Sequence, residues 1–170
     1  MALKAVEAAY AAERTEMAHR FGMVAESVGE VAGIVIAFPG RMFGSLKLGT
    51  GVVFARTAGA RHAASLARRA RVLDKLRPSV EHGYLYVSIL AVAEPYRRQG
   101  IATALMGRVI AGADRLGLGV ALDTAIDEPA RGLYEKMGFQ VMETRETTAA
   151  QRELIPVAGM VRLERPRGRS

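Results

Sequence analysis

The chain contains no cysteine, which excludes disulfides, thiolate metal sites and a cysteine nucleophile. It has no apolar run of the about 18 residues that a membrane-spanning helix requires. Charged side chains interrupt the first twenty residues, where a secretory signal would need an apolar core: Lys4, Glu7, Glu13, Arg14 and Glu16. We therefore expect a cytoplasmic protein with no membrane partner.

The 170 residues suit one domain over residues 1–170, since domains most often contain about 100–150 residues. Half of the residues are hydrophobic, which is enough for a core and excludes disorder along the whole length. The 24 Lys and Arg residues exceed the 17 Asp and Glu residues and give a net charge of +7. Such a surface attracts polyanions, among them nucleic acids and phosphorylated cofactors, without selecting one of them.

Hydrophobic periodicity predicts a mixed α/β sheet with helices covering its faces. In chain order, the predicted elements are a helix over 2–19, a hairpin over 24–38 that turns at Val28-Gly29-Glu30, a basic helix over 61–77, a strand over 84–92, a helix over 101–116, a strand over 120–125, a helix over 129–137, and strands over 139–146 and 157–164. The strands 84–92 and 120–125 flank a helix and should be parallel. Residues 40–80 form an insertion that is hard to interpret, and the basic tail 165–170 should be mobile.

One turn carries a chemical signal. A buried strand leads into a basic segment and then a helix, and Arg97, Gly100 and Ala102 fit the pattern Arg/Gln-x-x-Gly-x-Gly/Ala. The first amides of a helix have no intrahelical partner, small residues let a phosphate approach them, and the helix dipole favours an anion there. The pattern indicates a pyrophosphate site, although an ordinary turn with solvated arginines fits these six residues equally well.

A second segment follows the next strand and contains Ala130-x-x-Leu133-Tyr134-Glu135-Lys136-x-Gly138-Phe139. With the turn at 97–102 and the segment Leu90-Ala91-Val92 upstream, it resembles the GNAT superfamily of acetyl-CoA-dependent N-acetyltransferases. The resemblance covers roughly residues 24–164. It implies a mixed, mostly antiparallel sheet in which the central parallel strands 84–92 and 120–125 splay apart, with helices on both faces.

The resemblance also implies a cofactor site for acetyl-CoA as co-substrate, with no metal. The pantetheine arm would pair with the backbone of Leu90, Ala91 and Val92. The pyrophosphate would be held by backbone amides of the turn, which comprises Arg97, Arg98, Gln99, Gly100, Ile101 and Ala102. Tyr134 would lie near the thioester sulfur, contact the cofactor there, and act as the catalytic acid.

Elementary chemistry agrees with that role. A neutral amine attacks a thioester directly in a ternary complex, so no covalent enzyme intermediate is needed. A fixed backbone N–H can stabilise the oxyanion, and a phenol with a pKa near about 10 can protonate a departing thiolate. If the family resemblance is set aside, Tyr134 is more simply interpreted as a tyrosine that packs on a helix and has no catalytic role.

Three features depart from the family pattern. Asp127 stands where the family often has an Asn that contacts CoA, and a carboxylate can accept a hydrogen bond there but cannot donate one. The family usually opens with a strand and helix before the segment at residues 2–19, and little room exists for them here, so either the start is truncated or a shorter sheet edge is tolerated. The insertion at 40–80 replaces a short connection and should pack over the acceptor side.

The acceptor would be a small-molecule or peptide amine, and the resemblance makes a homodimer a reasonable expectation. The alternative is a catalytically inactive CoA-binding or interaction module of the same fold. The basic helix 61–77 is only a weak indication of nucleic-acid binding, because it carries no aromatic residues for stacking. No general base is evident. The groups on or before the central strand that could reach the cleft are Glu81, His82, Tyr86 and Ser88.

Overall fold

The computed structural model describes residues 2–58 and 60–168 of the chain. In this part of the chain the strands are β1 Gly22–Ser27, β2 Glu30–Pro39, β3 Tyr84–Val92, β4 Gly119–Ala125, β5 Gln140–Glu146 and β6 Gly159–Arg165. The helices are α1 Ala2–Ala11, α2 Phe43–Ala58, α3 Ala60–Leu76, α4 Ile101–Arg115, α5 Arg131–Lys136 and α6 Ala149–Arg152.

The six strands form one sheet in the order β1-β2-β3-β4-β6-β5. Among the strands that the structure describes, only β3 and β4 pair in parallel, and each of the other neighbouring pairs is antiparallel. Side chains alternate between the two faces of a strand. Val87 accordingly packs with Leu105 and Met106 of α4 on one face, whereas Tyr86 packs with Phe43 and Leu46 of α2 on the other. The predicted mixed sheet with helices on both faces is confirmed.

The β1–β2 hairpin turns at two residues rather than at the predicted three. Val28 and Gly29 both have positive φ, at 53° and 79°, as a tight hairpin turn of the primed type requires. Gly29 adopts this conformation without steric cost. Val28 is β-branched, so positive φ strains its backbone. Its side chain is 96% exposed and therefore makes almost no packing contacts that could offset this strain.

Replacing Val28 by asparagine is expected to stabilise the protein by about 1 kcal/mol, because asparagine tolerates the left-handed region far better than a β-branched residue. The corresponding rise in Tm is about 2–4 °C for a chain of this size, measured by thermal unfolding. Val24→Asn is the matched control: it places the same residue in extended β1 and should lower Tm, because asparagine is a poor strand former. An unchanged or lower Tm for Val28→Asn would contradict the argument.

The N-terminal helix is shorter than the predicted 2–19 and ends at Ala11. The Thr15 hydroxyl is buried and donates to the Ala9 carbonyl, so it satisfies an acceptor at the helix end. The next residue, Glu16, is also buried, and its amide donates to Thr50 of α2 rather than to a carbonyl of a continuing helix.

The prediction for residues 40–80 located only the second of two helices. The glycines within α2 made this helix difficult to predict from the sequence, yet one of them is required for packing. A Cβ on Gly49 would overlap the Arg14 carbonyl oxygen, so only glycine allows the N-terminal segment to lie against this helix. The short helix α6 was also missed, although Thr148 and Gln151 form a capping box at its start.

The first residues of the basic tail make polar contacts with α4. Arg165 closes β6 and pairs with Asp114 at 3.0 Å, and the amide of Gly168 donates to the same carboxylate. Residues 169 and 170 lie outside the described residues. No helix within the described ranges is long and apolar enough to cross a bilayer.

Candidate functional site

The central parallel strands part near their carboxyl ends. Their pairing runs from Tyr84↔Gly119 to Val87↔Leu122 and then stops, although both strands continue. Beyond that point, β3 pairs with β2 on its far side and β4 pairs with β6. The two inner edges therefore face a gap, with the backbone groups of Leu90–Val92 along one wall. The predicted splay is confirmed.

An irregularity in β3 marks the place where the strands separate. In the β2–β3 register, Ile36 faces Ile89 and Ala37 faces Val87, so Ser88 is an extra residue. An extra residue of this kind bends a strand and increases its local twist. The extra residue comes directly after Val87, the last residue of β3 that pairs with β4.

A cavity of about 900 Å³ opens at this gap; we call it the large cavity. It lies between the end of β3, the turn before α4, and the segment that forms α5. Most of the predicted cofactor residues line it: Leu90, Ala91, Val92, Arg97, Arg98, Gly100, Ile101, Ala102 and Tyr134. Gln99 and Asp127 are not among the lining residues, and the Gln99 side chain instead donates to the Pro95 carbonyl at 3.1 Å.

The start of α4 presents its amides to the large cavity. Gly100 caps the helix with φ 82° and ψ 0°, a conformation that glycine adopts easily. The amides of the first turn, from Ile101 onward, lack intrahelical partners. The Arg97 amide was predicted to be one of the donors to the pyrophosphate. In the structure it already donates to the Glu94 carbonyl at 3.2 Å. Its side chain still lies at the cavity wall and donates to Val92.

A second cavity of about 380 Å³ occupies the gap itself; we call it the small cavity. Its polar wall residues are Ser88, Asp123, Thr124 and Glu128 in addition to Tyr134. Four residues line both cavities: Leu90, Glu128, Ala130 and Tyr134. The two cavities therefore meet at one phenol and one carboxylate.

Tyr134 lies on α5 with only 7% of its surface exposed, and its ring packs edge-on against Phe139 with centroids 5.9 Å apart. Burial raises the pKa of the Tyr134 phenol, and the negative charge of Glu128 raises it further. Both effects oppose formation of the phenolate. At neutral pH the hydroxyl is therefore a proton donor at the junction of the cavities.

Asp123 is among the residues that line the small cavity, and its side chain belongs to a buried charged network. Arg162 binds its carboxylate in bidentate fashion, at 2.8 and 2.9 Å, and the Tyr86 hydroxyl donates to it at 2.9 Å. Arg77 in turn donates to Tyr86 at 2.9 Å and to Glu16 at 2.7 Å. The network ties the end of α3 and the N-terminal segment to the sheet below the cavity.

The contacts of the candidate general bases differ from one to the next. Tyr86 is buried within the network, and burial raises the pKa of its phenol. Ser88 donates to the Glu16 carbonyl. Glu81 and His82 are exposed and precede β3, so they lie at the end of the strand opposite the gap. The carboxylate at the cavity junction, Glu128, was missed, although it stands within the second motif segment, two residues before Ala130.

The comparisons with known proteins give a family and a fold. The model of the acetyltransferase (GNAT) family matches residues 3–139. A comparison with curated proteins finds no match.

Several solved structures share the fold at low sequence identity. An N-acetyltransferase from Staphylococcus aureus Mu50 has a TM-score of 0.71 at 20% identity, over 96% of this chain and 80% of that one. The ribosomal-protein-S18-alanine N-acetyltransferase from Escherichia coli has a TM-score of 0.53 at 15% identity, over 88% and 70% of the chains. A Bacillus subtilis acetyltransferase in complex with CoA has a TM-score of 0.53 at 17% identity, over 85% and 75%.

Proposed function

Since the chain belongs to the GNAT acetyltransferase family, we propose that it transfers an acetyl group from acetyl-CoA to a primary amine of a small molecule or peptide. The observation that carries this proposal is the gap between β3 and β4, which connects a large cavity to a small one at Tyr134. A reaction between two substrates needs such a junction, because each must reach the reacting atoms from its own side.

Acetyl-CoA is assigned to the large cavity. Its volume of about 900 Å³ lies within the range of about 300–1,000 Å³ that is usual for ligand sites. The first amides of α4 and the side chains of Arg97 and Arg98 supply hydrogen-bond donors and positive charge for the pyrophosphate. The inner edge of Leu90–Val92 offers backbone groups to the amides of the pantetheine arm. A neighbour of the same fold was solved with CoA bound.

The chemistry follows from what surrounds the junction. The amine nitrogen attacks the acetyl carbon, so a C–N bond forms and the carbonyl oxygen gains negative charge, which a backbone N–H on the inner edge of β3 stabilises. The C–S bond then breaks as Tyr134 donates its proton to the departing thiolate. The amine loses its extra proton to water, and water restores the phenol.

Calorimetry with acetyl-CoA, followed by a thiol-release assay with a panel of primary amines, tests the proposal. We expect binding in the micromolar range and thiol release that depends on both substrates. Absence of binding at sub-millimolar concentration would contradict the assignment of the large cavity. Tight binding without turnover of any amine would favour the alternative, an inactive CoA-binding or interaction module.

Gly100→Val is expected to weaken acetyl-CoA binding by about tenfold or more, because a β-branched residue resists the positive φ that orients the first amides of α4. Gly117→Val is the matched control. Gly117 also has positive φ, at 66°, with no other atoms near its Cβ position, but it follows the opposite end of the same helix. Both variants should lose similar stability, whereas only Gly100→Val should lose affinity by calorimetry. Equal affinities would refute the assignment of this turn.

A further inference from the structure

The two cavities differ in the sign of their charged walls. Among the described residues that line the large cavity, three side chains are cationic, Arg97, Arg98 and Lys136, and one is a carboxylate, Glu128. The small cavity has no cationic side chain among the described residues that line it, and its charged groups are Asp123 and Glu128. Because Arg162 neutralises Asp123, the contrast among the described residues is an excess of positive charge in the large cavity, where a polyanionic donor would bind, and Glu128 as the one uncompensated charge in the wall of the small cavity.

The two carboxylates of the small cavity are not equivalent. Asp123 is 1% exposed, and Arg162 and Tyr86 occupy both of its oxygens. Glu128 is exposed, and none of the ion pairs among the described residues involves it. Glu128 is therefore the carboxylate of this cavity whose charge remains available to a ligand.

We propose, on the premise of the acetyl transfer argued above, that Glu128 binds the acceptor amine and selects cationic acceptors whose ammonium has no neighbouring carboxylate. Its position supports this role, because Glu128 and Tyr134 line both cavities. An amine held by this carboxylate lies beside the phenol that protonates the leaving group. An acceptor carboxylate next to the amine would be repelled by Glu128, and no cation among the described wall residues of the small cavity would compensate it.

This role concerns recognition and placement rather than deprotonation. A nearby carboxylate favours the ammonium form, so it increases the affinity for the cation and does not itself make the amine more acidic. The proton leaves to water, and the Glu128 oxygen then accepts a hydrogen bond from the neutral amine, which keeps the nitrogen near the thioester. The net charge of the chain alone would favour an acidic acceptor; the local arrangement of charge favours the opposite.

The test compares amino-acid amides with the corresponding free amino acids, for example alaninamide with alanine and leucinamide with leucine. Each pair differs only by a carboxylate beside the amine. The measured quantity is the ratio of kcat/KM between amide and acid, in the wild type and in Glu128→Gln. Comparing the ratio between the two proteins cancels the difference in amine pKa within each pair.

We expect the wild type to prefer the amides and Glu128→Gln to reduce that preference by about tenfold, which is typical for the loss of one charged hydrogen bond. The change should come from the KM of the amide, with the KM of acetyl-CoA unchanged within about twofold. Glu128→Asp should retain part of the preference. Glu135→Gln is the matched control. Glu135 is an exposed carboxylate on α5, seven residues after Glu128; it pairs with Arg131 and lines neither cavity.

The outcomes separate this inference from the proposal on which it rests. The same ratio in the wild type and in Glu128→Gln, or a wild-type preference for the free acids, overturns the role of Glu128 while acetyl transfer stands. Acetyl-CoA binding without turnover of any amide also overturns it and leaves the cofactor cavity in place. If acetyl-CoA does not bind at all, the proposed function fails first, and this inference fails with it.

Discussion

Tyr134→Phe is expected to lower kcat for acetyl transfer by about a hundredfold or more, because a positioned general acid typically contributes about 10²–10⁴-fold. The dissociation constant of acetyl-CoA should change by no more than about twofold, since the phenylalanine ring preserves the packing against Phe139. Steady-state kinetics with a turned-over amine and calorimetry with acetyl-CoA measure the two quantities separately.

Tyr84→Phe is the matched control for this experiment. Burial and the neighbouring carboxylate of Glu164 also raise the pKa of the Tyr84 phenol, but Tyr84 begins β3 at the end opposite the gap. Loss of its hydroxyl should leave kcat unchanged within about twofold. A similar fall in kcat for both variants would indicate a general effect on the sheet rather than loss of an acid.

The pH dependence provides a second readout of the same prediction. The pKa of Tyr134 is raised, chiefly by burial, so the phenol keeps its proton to a higher pH than an exposed tyrosine does. Between pH 6 and 9 the wild-type rate should therefore rise as the acceptor amine loses its proton, without a fall caused by Tyr134. A decline below pH 9 that disappears in Tyr134→Phe would contradict the raised pKa, although it would still identify Tyr134 as the acid. A decline below pH 9 that persists in Tyr134→Phe would belong to another group.

The parts of the site that could be predicted from the sequence are those built from neighbouring residues. The turn at 97–102 combines a buried strand, two arginines, a glycine and a helix start, and each of these features is local. The hairpin was predictable for the same reason, because a glycine separates two apolar segments. The splay of β3 and β4 came from the family resemblance, since a pattern within one strand does not say where pairing with another strand stops.

The parts that were missed depend on contacts between distant segments. Glu16 and Arg77 are 61 residues apart, and Asp123 and Arg162 are 39 residues apart, so no local periodicity brings these side chains together. Gly49 made α2 difficult to recognise for a related reason. Gly49 is needed because the backbone of Arg14 approaches it closely, whereas helix propensity treats any glycine within a helix as destabilising. Glu128 acquires its significance from two cavities that exist only in the folded chain.

The buried pair of Asp123 and Arg162 leads to the largest stability effect that we expect. Their side chains are 1% and 3% exposed, and the Arg162 guanidinium also donates to the carbonyls of Pro78 and Ser79. Burial disfavours the charged form of Arg162, but its hydrogen bonds to Asp123 and the negative charge there raise its pKa overall. The arginine thus remains charged and neutralises a carboxylate that is almost completely buried.

Arg162→Met is expected to lower the free energy of unfolding by about 3–5 kcal/mol, because it leaves a buried carboxylate without its main partner. The fall in Tm should be about 10 °C. Arg131→Met is the matched control, since it removes an exposed pair with Glu135 and should cost less than about 1 kcal/mol. Urea and thermal unfolding of both variants measure the difference.

Two further variants keep this prediction testable even if Arg162→Met does not fold. Arg162→Lys retains the charge but cannot bind the carboxylate through two parallel donors, so its loss of stability should be intermediate. Asp123→Asn in the Arg162→Met background removes the uncompensated charge and keeps an acceptor for the Tyr86 hydroxyl, so it should recover part of the lost stability. If the double variant is no more stable than Arg162→Met, the cost comes from lost packing and carbonyl contacts rather than from the buried charge.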